Sequence, residues 1–369
     1  MTIVEPKDFQ MSSRLPFIDA LKALAAQLIV LHHLAFYGPM SDHAHALTPD
    51  LISWLSQDAR YAVQVFLVLG GFLAVQSLAP AGRLRTTAPL GLLWKRYCKL
   101  VGPYVVAVLL ALLSAAIGRM LMEHDSLPAR PSLSQVLAHA LLLQSILGYE
   151  GLSAGVWYIA IDFQLFALLL GLLWLARQVA AGAAREAVVA SCLVATLGVA
   201  SLYHFNLEAE WDSWGVYFFG SYALGVASYW VTNGQSQRAA WWLLPVVTLV
   251  ALALLLEYRP RIAVALVVAL TLALARRYGV LERWPKSSVV GYLGRTSYSL
   301  FLVHFPVCLL VNALFSRFGV QDPWFNLGGL VIAWLASMAA AALFFRFVED
   351  ALAQPGRLTA AAAPVRQTP

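Results

Sequence analysis

Asp19, Lys22, His32 and His33 fall inside one apolar stretch, where every ionisable group carries an insertion cost and so calls for a reason. Asp19 and Lys22 are three residues apart and can pair on one helix face. Lys22 and His33 are eleven apart, about three turns, so they share that face at a separation of roughly 16 Å along the axis. A neutral imidazole is suited to general-base chemistry near pH 7. The same residues would equally serve as an interfacial ion pair and two boundary histidines. Asp162 and His304 are further polar residues in apolar surroundings, Asp162 in the segment that also holds Trp157 and Gln164. Lys95, Arg96 and Lys99 form a basic cluster just before Pro103. It could bind phosphate groups or act only as a membrane anchor. Arg346 and Glu349, three apart, are placed to pair or to flank such a phosphate site. No metal is expected, because the adjacent His32 and His33, and His43 with His45, lack a third ligand.

The elements that must position these groups are membrane helices. Of 369 residues 60% are hydrophobic and only 12% charged, about half the charge of a soluble domain. Mean hydropathy is +0.72. Apolar blocks of spanning length recur from residue 17 to residue 345, which leaves one membrane domain and no room for a soluble one. The net charge of +6 resides in short connectors rather than in a basic stripe with interleaved aromatics, which argues against nucleic acid as a partner. Cys98, Cys192 and Cys308 have neither metal-ligand nor disulfide spacing. The first fifteen residues lack the apolar core and cleavage site of a signal peptide, so the first block is expected to be retained.

Eleven blocks are candidates: 16–38, 61–80, 100–118, 134–148, 154–176, 186–204, 214–231, 240–257, 261–276, 290–315 and 324–345. The 134–148 block is short and holds His139 and Gln144. If it did not cross, Arg177, Arg185 and the cluster from Arg276 to Lys286 would share one side with Arg83, Lys95 and Arg96, as the positive-inside bias requires. The expected fold is therefore an all-α polytopic transmembrane bundle of about ten spans, with 134–148 interfacial or re-entrant. Residues 1–15 form a cytoplasmic segment, 16–350 the membrane domain and 351–369 a disordered cytoplasmic tail. On this topology Asp162 lies about eight residues below the outer surface, at a depth similar to that of His33.

Six segments in order resemble the motifs of the acyltransferase-3 family of membrane proteins. Arg14, then Asp19-Ala20-Leu21-Lys22, ten residues and His33, is similar to the opening Asp-x-Leu-Arg and His signature, and the spacing selects His33 over His32. Lys22 replaces an arginine, which keeps the charge and loses bidentate hydrogen bonding. Val63 to Phe72 resembles the aromatic Ser-Gly-Phe segment, with Gln64 for a frequent Asp and Gly70 for the Ser, so close packing is an equal reading of Gly70 and Gly71. Lys95 to Lys99 with Pro103-Tyr104 is like the basic motif of the third span. Trp157 to Gln164 resembles Trp-Ser-Leu-x-x-Glu-x-Gln, with Asp162 for the Glu. Leu293 to Pro306 is close to the late motif ending in His-x-Pro, and Arg346 to Glu349 matches the closing element. Together they run from Arg14 to Glu349.

The resemblance implies a membrane-bound O-acyltransferase of the bacterial inner membrane, with both termini cytoplasmic. It would move an acyl group, often acetyl, from cytosolic acyl-CoA to a hydroxyl of a cell-surface or exported carbohydrate. His33 is then the base, with Asp162 or Asp19 orienting its ring. Arg14, Lys22, Arg96 and Lys99 would hold the donor, and Trp157, Gln164 and His304 the acceptor. Acyl-CoA would be the cofactor, and membrane lipid and the carbohydrate the partners. His304 could equally be a buried structural histidine. Direct transfer, with the pantetheine arm threaded between helices, is favoured over a covalent acyl intermediate. Two rival classes are a secondary transporter using Asp19, Lys22, Asp162 and His304 as a proton relay, and a non-catalytic membrane assembly partner.

Overall fold

The computed structural model describes residues 15–233, 241 and 243–353. Arg14, most of the N-terminal segment and most of the tail assigned above lie outside the described residues. Every regular element among the described residues is helical.

The chain runs through α1 (Pro16–Phe36), two short helices α2 (Met40–Ala44) and α3 (Pro49–Gln57), α4 (Val63–Leu78) and α5 (Pro89–Leu121). A short α6 (Leu133–Ala140) precedes α7 (Val156–Val179), α8 (Ala183–Tyr203), α9 (Gly215–Val231), α10 (Leu243–Leu256) and α11 (Pro260–Arg277). α12 (Ser288–Arg317), α13 (Pro323–Phe344), a π-helical turn at Phe345–Glu349 and α14 (Asp350–Ala353) complete it. Local chemistry sets several starts. Proline opens α1, α3, α5, α11 and α13, where its missing N–H costs nothing. The side chains of Ser132, Ser287 and Asp322 accept backbone N–H groups at the starts of α6, α12 and α13.

Among the described residues seven helices are long and apolar enough to cross a membrane: those beginning at Pro16, Ala59, Pro89, Val156, Ala183, Ser288 and Pro323. The three other expected spans are α9, α10 and α11. The first two are short, at 17 and 14 residues, and α11 carries Arg261, Arg276 and Arg277 at its ends. The connectors gather at two ends. At one end Arg177 donates to the Thr86 carbonyl, Leu84 N–H to Glu186, and Trp230 to the Ala79 carbonyl. At the other Ser126 donates to the Gly38 carbonyl, Asn312 to that of Tyr37 and Arg261 to that of Asn206. Among the described residues these seven helices and α9, α10 and α11 therefore alternate in direction, which makes this a polytopic all-α bundle.

Two boundaries differ from the sequence reading. The third span begins at Pro89 rather than residue 100, so Lys95, Arg96 and Lys99 lie on a 33-residue helix and not in a connector. The outer connector after α1 also contains α2 and α3, which carry too few apolar residues to register as blocks.

Close backbone contact fixes the register of the central helices. A side chain at Gly71 would strike the backbone carbonyl of Tyr222, so α4 lies directly against α9, in line with the packing reading of Gly70 and Gly71. At Gly294 an added Cβ would meet the backbone of Asp19, so α12 approaches α1 equally closely.

The 134–148 block does not cross. α6 has eight residues, a rise of about 12 Å against a hydrocarbon core of about 30 Å. Turns then carry the chain to Gly155. His139 holds this segment together: its Nδ1–H donates to the Gln135 carbonyl at 2.8 Å, and its Nε2 accepts the Leu152 N–H at 3.1 Å. Gln144 donates to the Val156 carbonyl. Burial lowers the His139 pKa from its ordinary 6.5, opposed by the bond to the Gln135 carbonyl. A base with a lowered folded pKa binds more protons when unfolded. Its stabilisation is thus full above pH 6.5 and is lost as pH falls through the lowered value. Hydrogen exchange corrected for intrinsic rates should therefore show residues 139–155 loosening between pH 7 and pH 5. In His139→Ala they should be loose at both pH values.

Candidate active site

Two cavities penetrate the bundle from opposite ends and are divided by a layer of aromatic rings. The first, about 760 Å³, is lined by His33, Tyr37, Trp157 and Phe305 and by the 144–155 segment, which supplies Gln144, Tyr149 and Glu150. The second, about 470 Å³, is lined by Asp19, Lys22, Arg96, Lys99, Asp162, Arg295 and Glu349.

At the first cavity His33 Nδ1 and His304 Nε2 are 2.6 Å apart. The rings are 9° from parallel with centroids 4.8 Å apart, which together with the short N–N distance is an edge-to-edge arrangement. Their partners settle the tautomers. His304 Nδ1 lies 3.0 Å from the Leu300 carbonyl, which only accepts, so this nitrogen carries hydrogen. In a neutral His304 Nε2 is then the acceptor, and His33 Nδ1–H donates to it. His33 is left with an unprotonated Nε2 that makes no hydrogen bond among the described residues, on a residue that lines the cavity. His32, its neighbour, is tied instead to the Leu55 carbonyl at 3.1 Å. Asn312, two turns beyond His304, fastens the end of α1 by accepting Met40 N–H and donating to the Tyr37 carbonyl. Asn312 thereby positions His33; as a lone amide in an apolar helix it offered little to find it by in the sequence.

In the second cavity Arg96 donates to Asp162 in an ion pair at 2.5 Å. Among the described residues Lys22, Lys99 and Arg295 make no ion pair, and neither do Asp19 and Lys22 with each other. Glu349 reaches this cavity from the π-helical turn and accepts Ser299 Oγ–H at 2.6 Å. The extra residue of a π turn rotates the following side chain, as is common at functional sites. Arg346 instead stacks on Phe347, 5.5 Å from its ring centroid, so the expected Arg346–Glu349 pair is not formed.

Phe66, Tyr158 and Phe301 separate the two cavities, with mutual centroid distances of 6.1, 5.4 and 6.3 Å. All three face the basic cavity, whereas Trp157 and Phe305, adjacent to two of them in spacing, face the histidines. Phe301 lies one turn before His304, with ring centroids 6.2 Å apart.

Several sequence expectations are corrected by this geometry. Asp162 does not orient His33: it is a layer deeper than expected and is bound to Arg96. Asp19 faces the basic cavity, and His304 supplies the acceptor for the His33 ring. Gln164 ties α7 to the connector before α9, donating to the Ser213 carbonyl and accepting Gly215 N–H, and it does not line the histidine cavity. His304 is paired with His33 rather than free to hold substrate, while Trp157 does line the histidine cavity. Lys22, Arg96 and Lys99 line one cavity together with Arg295 of the late motif. Nor do Asp19, Lys22, Asp162 and His304 form the hydrogen-bonded chain of a proton relay, since Asp162 bonds Arg96 and His304 bonds His33 and the Leu300 carbonyl.

The structure is a helical membrane bundle with a histidine pair at one polar cavity and a cluster of cations at another. The chain matches the family model described as an acyltransferase domain over residues 15–346, and so belongs to the acyltransferase-3 family and is an acyltransferase. No curated protein and no solved structure matches it.

The Arg96–Asp162 pair gives a stability test. Asp162→Asn leaves the guanidinium unpaired and should cost about 2 kcal/mol, less than the ~3–5 kcal/mol of fully buried pairs because the Arg96 side chain keeps 31% of its surface. The double variant Arg96→Gln/Asp162→Asn should recover most of the lost melting temperature in detergent. A further fall on adding Arg96→Gln would contradict this account.

Proposed function

We propose that this membrane acyltransferase moves an acyl group, acetyl in the simplest case, from acyl-CoA to a hydroxyl of a carbohydrate, with His33 as general base. The observation that carries the reading is the relay from His33 through His304 to the Leu300 carbonyl, which leaves His33 Nε2 as a lone-pair nitrogen on a polar cavity.

The basic cavity suits the donor. Among the described residues Lys22, Lys99 and Arg295 form no direct ion pair, and clustered ammonium and guanidinium groups bind phosphates well. The thioester supplies an activated carbonyl with a good leaving group. His33 Nε2 takes the proton of the acceptor hydroxyl as its oxygen attacks that carbonyl, and the C–S bond breaks to release the thiolate. The imidazolium then returns the proton to the sulfur. During this cycle His304 keeps the His33 ring in place by accepting from Nδ1. The phosphates bind at the Lys22 end and the hydroxyl at the His33 end, and the thioester passes the Phe66, Tyr158 and Phe301 layer to meet it. Direct transfer fits this division, and the basic end belongs on the cytoplasmic side of a bacterial inner membrane by its charge.

Two outcomes test this in purified protein supplied with labelled acetyl-CoA and glycan acceptors. His33→Ala should lower transfer by roughly 10²–10⁴-fold while donor affinity is unchanged. Arg295→Gln should instead weaken donor binding by about tenfold with a smaller effect on the rate at saturating donor. Transfer unaltered in His33→Ala, or a stable acyl group trapped on a side chain with donor alone, would overturn the direct base mechanism.

A further inference from the structure

A third cavity, about 600 Å³, adjoins the histidine cavity, sharing Ser145 and Trp157 in its walls. It gathers Arg60, Arg259 and Arg261 with a single acid, Asp212, and the rings of Tyr61, Trp157, Phe218 and Tyr258. None of the three arginines makes an ion pair among the described residues. Arg259 is 6% exposed, and its Nη1 donates to the Leu202 carbonyl and to Asn206 Oδ1, both at 2.9 Å. Arg261 Nη2 donates to the Asn206 carbonyl at 2.9 Å, and the guanidinium lies 4.9 Å from the Tyr217 ring centroid. The Nε atoms of both are enclosed and have no hydrogen-bond partner. Arg60 is exposed and lies over Tyr61.

Neutral carbonyls hold the Arg259 and Arg261 guanidinium groups in place, with no carboxylate at ion-pair distance among the described residues. A buried cation that lacks a carboxylate is costly unless an anion arrives to pair with it. The flat aromatic faces beside the arginines provide surfaces on which the C–H face of a pyranose can lie, while a planar guanidinium matches an oxyanion in two parallel bonds.

We propose that this cavity is an acceptor subsite for an acidic sugar, whose carboxylate or phosphate is held by Arg60, Arg259 and Arg261 while a neighbouring hydroxyl reaches the His33 cavity past Trp157. This rests on the acyl-transfer reading and narrows its acceptor from any carbohydrate to an anionic one. Arg259 holds the oxyanion from the residue that caps α11 and Arg261 from the first turn of that helix, while Arg60 faces it from the turn before α4. The site lies at the same end of the bundle as His33, opposite the donor cations, so the two anions of the reaction approach from different ends.

Binding to full-length protein in nanodiscs of neutral phosphatidylcholine tests this with three probes: methyl glucuronide, methyl glucoside and methyl glucoside 6-phosphate. The wild type should prefer the glucuronide or the 6-phosphate over the neutral glucoside by at least about tenfold, and the preferred probe identifies the anion. Arg60→Ala, at an exposed position where folding is not at stake, and Arg261→Gln should each reduce that preference about tenfold. Equal affinity for all three sugars, no measurable anion binding, or a preference untouched by both variants would overturn the proposal. So would loss of glucuronide binding in discs containing phosphatidylglycerol, which would assign the arginines to a lipid headgroup. Acetyl-CoA binding and His33-dependent transfer are measured on the same samples: their failure bears on the acyl-transfer reading, whereas failure of the sugar preference alone bears on this subsite.

Discussion

The hydrogen bond between His33 and His304 is the contact on which the site's geometry depends. Two imidazoles 2.6 Å apart cannot both present N–H to each other, so the contact requires an ordered set of protons. The Leu300 carbonyl supplies that order from inside α12 itself. The direction of the relay is thus fixed by a backbone group that cannot titrate, and the reactive lone pair emerges at the far end. Much of the surrounding packing serves to hold α1 against α12 at the right height. Gly294 admits the backbone of Asp19 at one end of the contact, and Asn312 clamps the chain after Tyr37 at the other.

Charge is distributed around this relay in layers. The bundle keeps its unpaired cations near Lys22 and its free imidazole near the other end, with Phe66, Tyr158 and Phe301 between them. The aromatic rings thus keep the cationic groups and the histidine pair in separate compartments of the bundle. The Arg96–Asp162 pair belongs to the basic layer and brings α5 to α7 there. This explains why a carboxylate at apparent histidine depth is not the partner of the histidine.

Sequence periodicity and charge made the fold legible: apolar blocks and the asymmetry of lysine and arginine lead to ten alternating helices, and the shortness of the 134–148 block separates it from the spans. What they could not show was helix extension through charge. Lys95, Arg96 and Lys99 look like a connector, yet with Pro89 at its start the helix runs through them. His33 was selected by spacing and lines a cavity, whereas its partner was misassigned because depth counted along one helix ignores where the next helix begins. α7 starts at Val156, beside His33, so Asp162 is already a turn and a half lower. Gln164 looked like a binding residue because an amide in a membrane helix is conspicuous, but the Ser213–Gly215 connector consumes both of its ends. Nothing in the sequence around Arg259 sets it apart from other charges near span ends, since its burial cannot be seen in a single sequence.

The ring tautomers of the two histidines are the most direct test. Solid-state ¹⁵N NMR of histidine-labelled protein in lipid bilayers, with signals assigned by single-histidine variants, reports protonation at each ring nitrogen. The account predicts that at neutral pH His33 carries hydrogen on Nδ1 and a lone pair on Nε2, and that His304 does the same. It also predicts that His304→Phe releases His33 from this single tautomer. Hydrogen on His33 Nε2 in the wild type, or a His33 signal indifferent to His304→Phe, would contradict the relay and with it the assignment of the base.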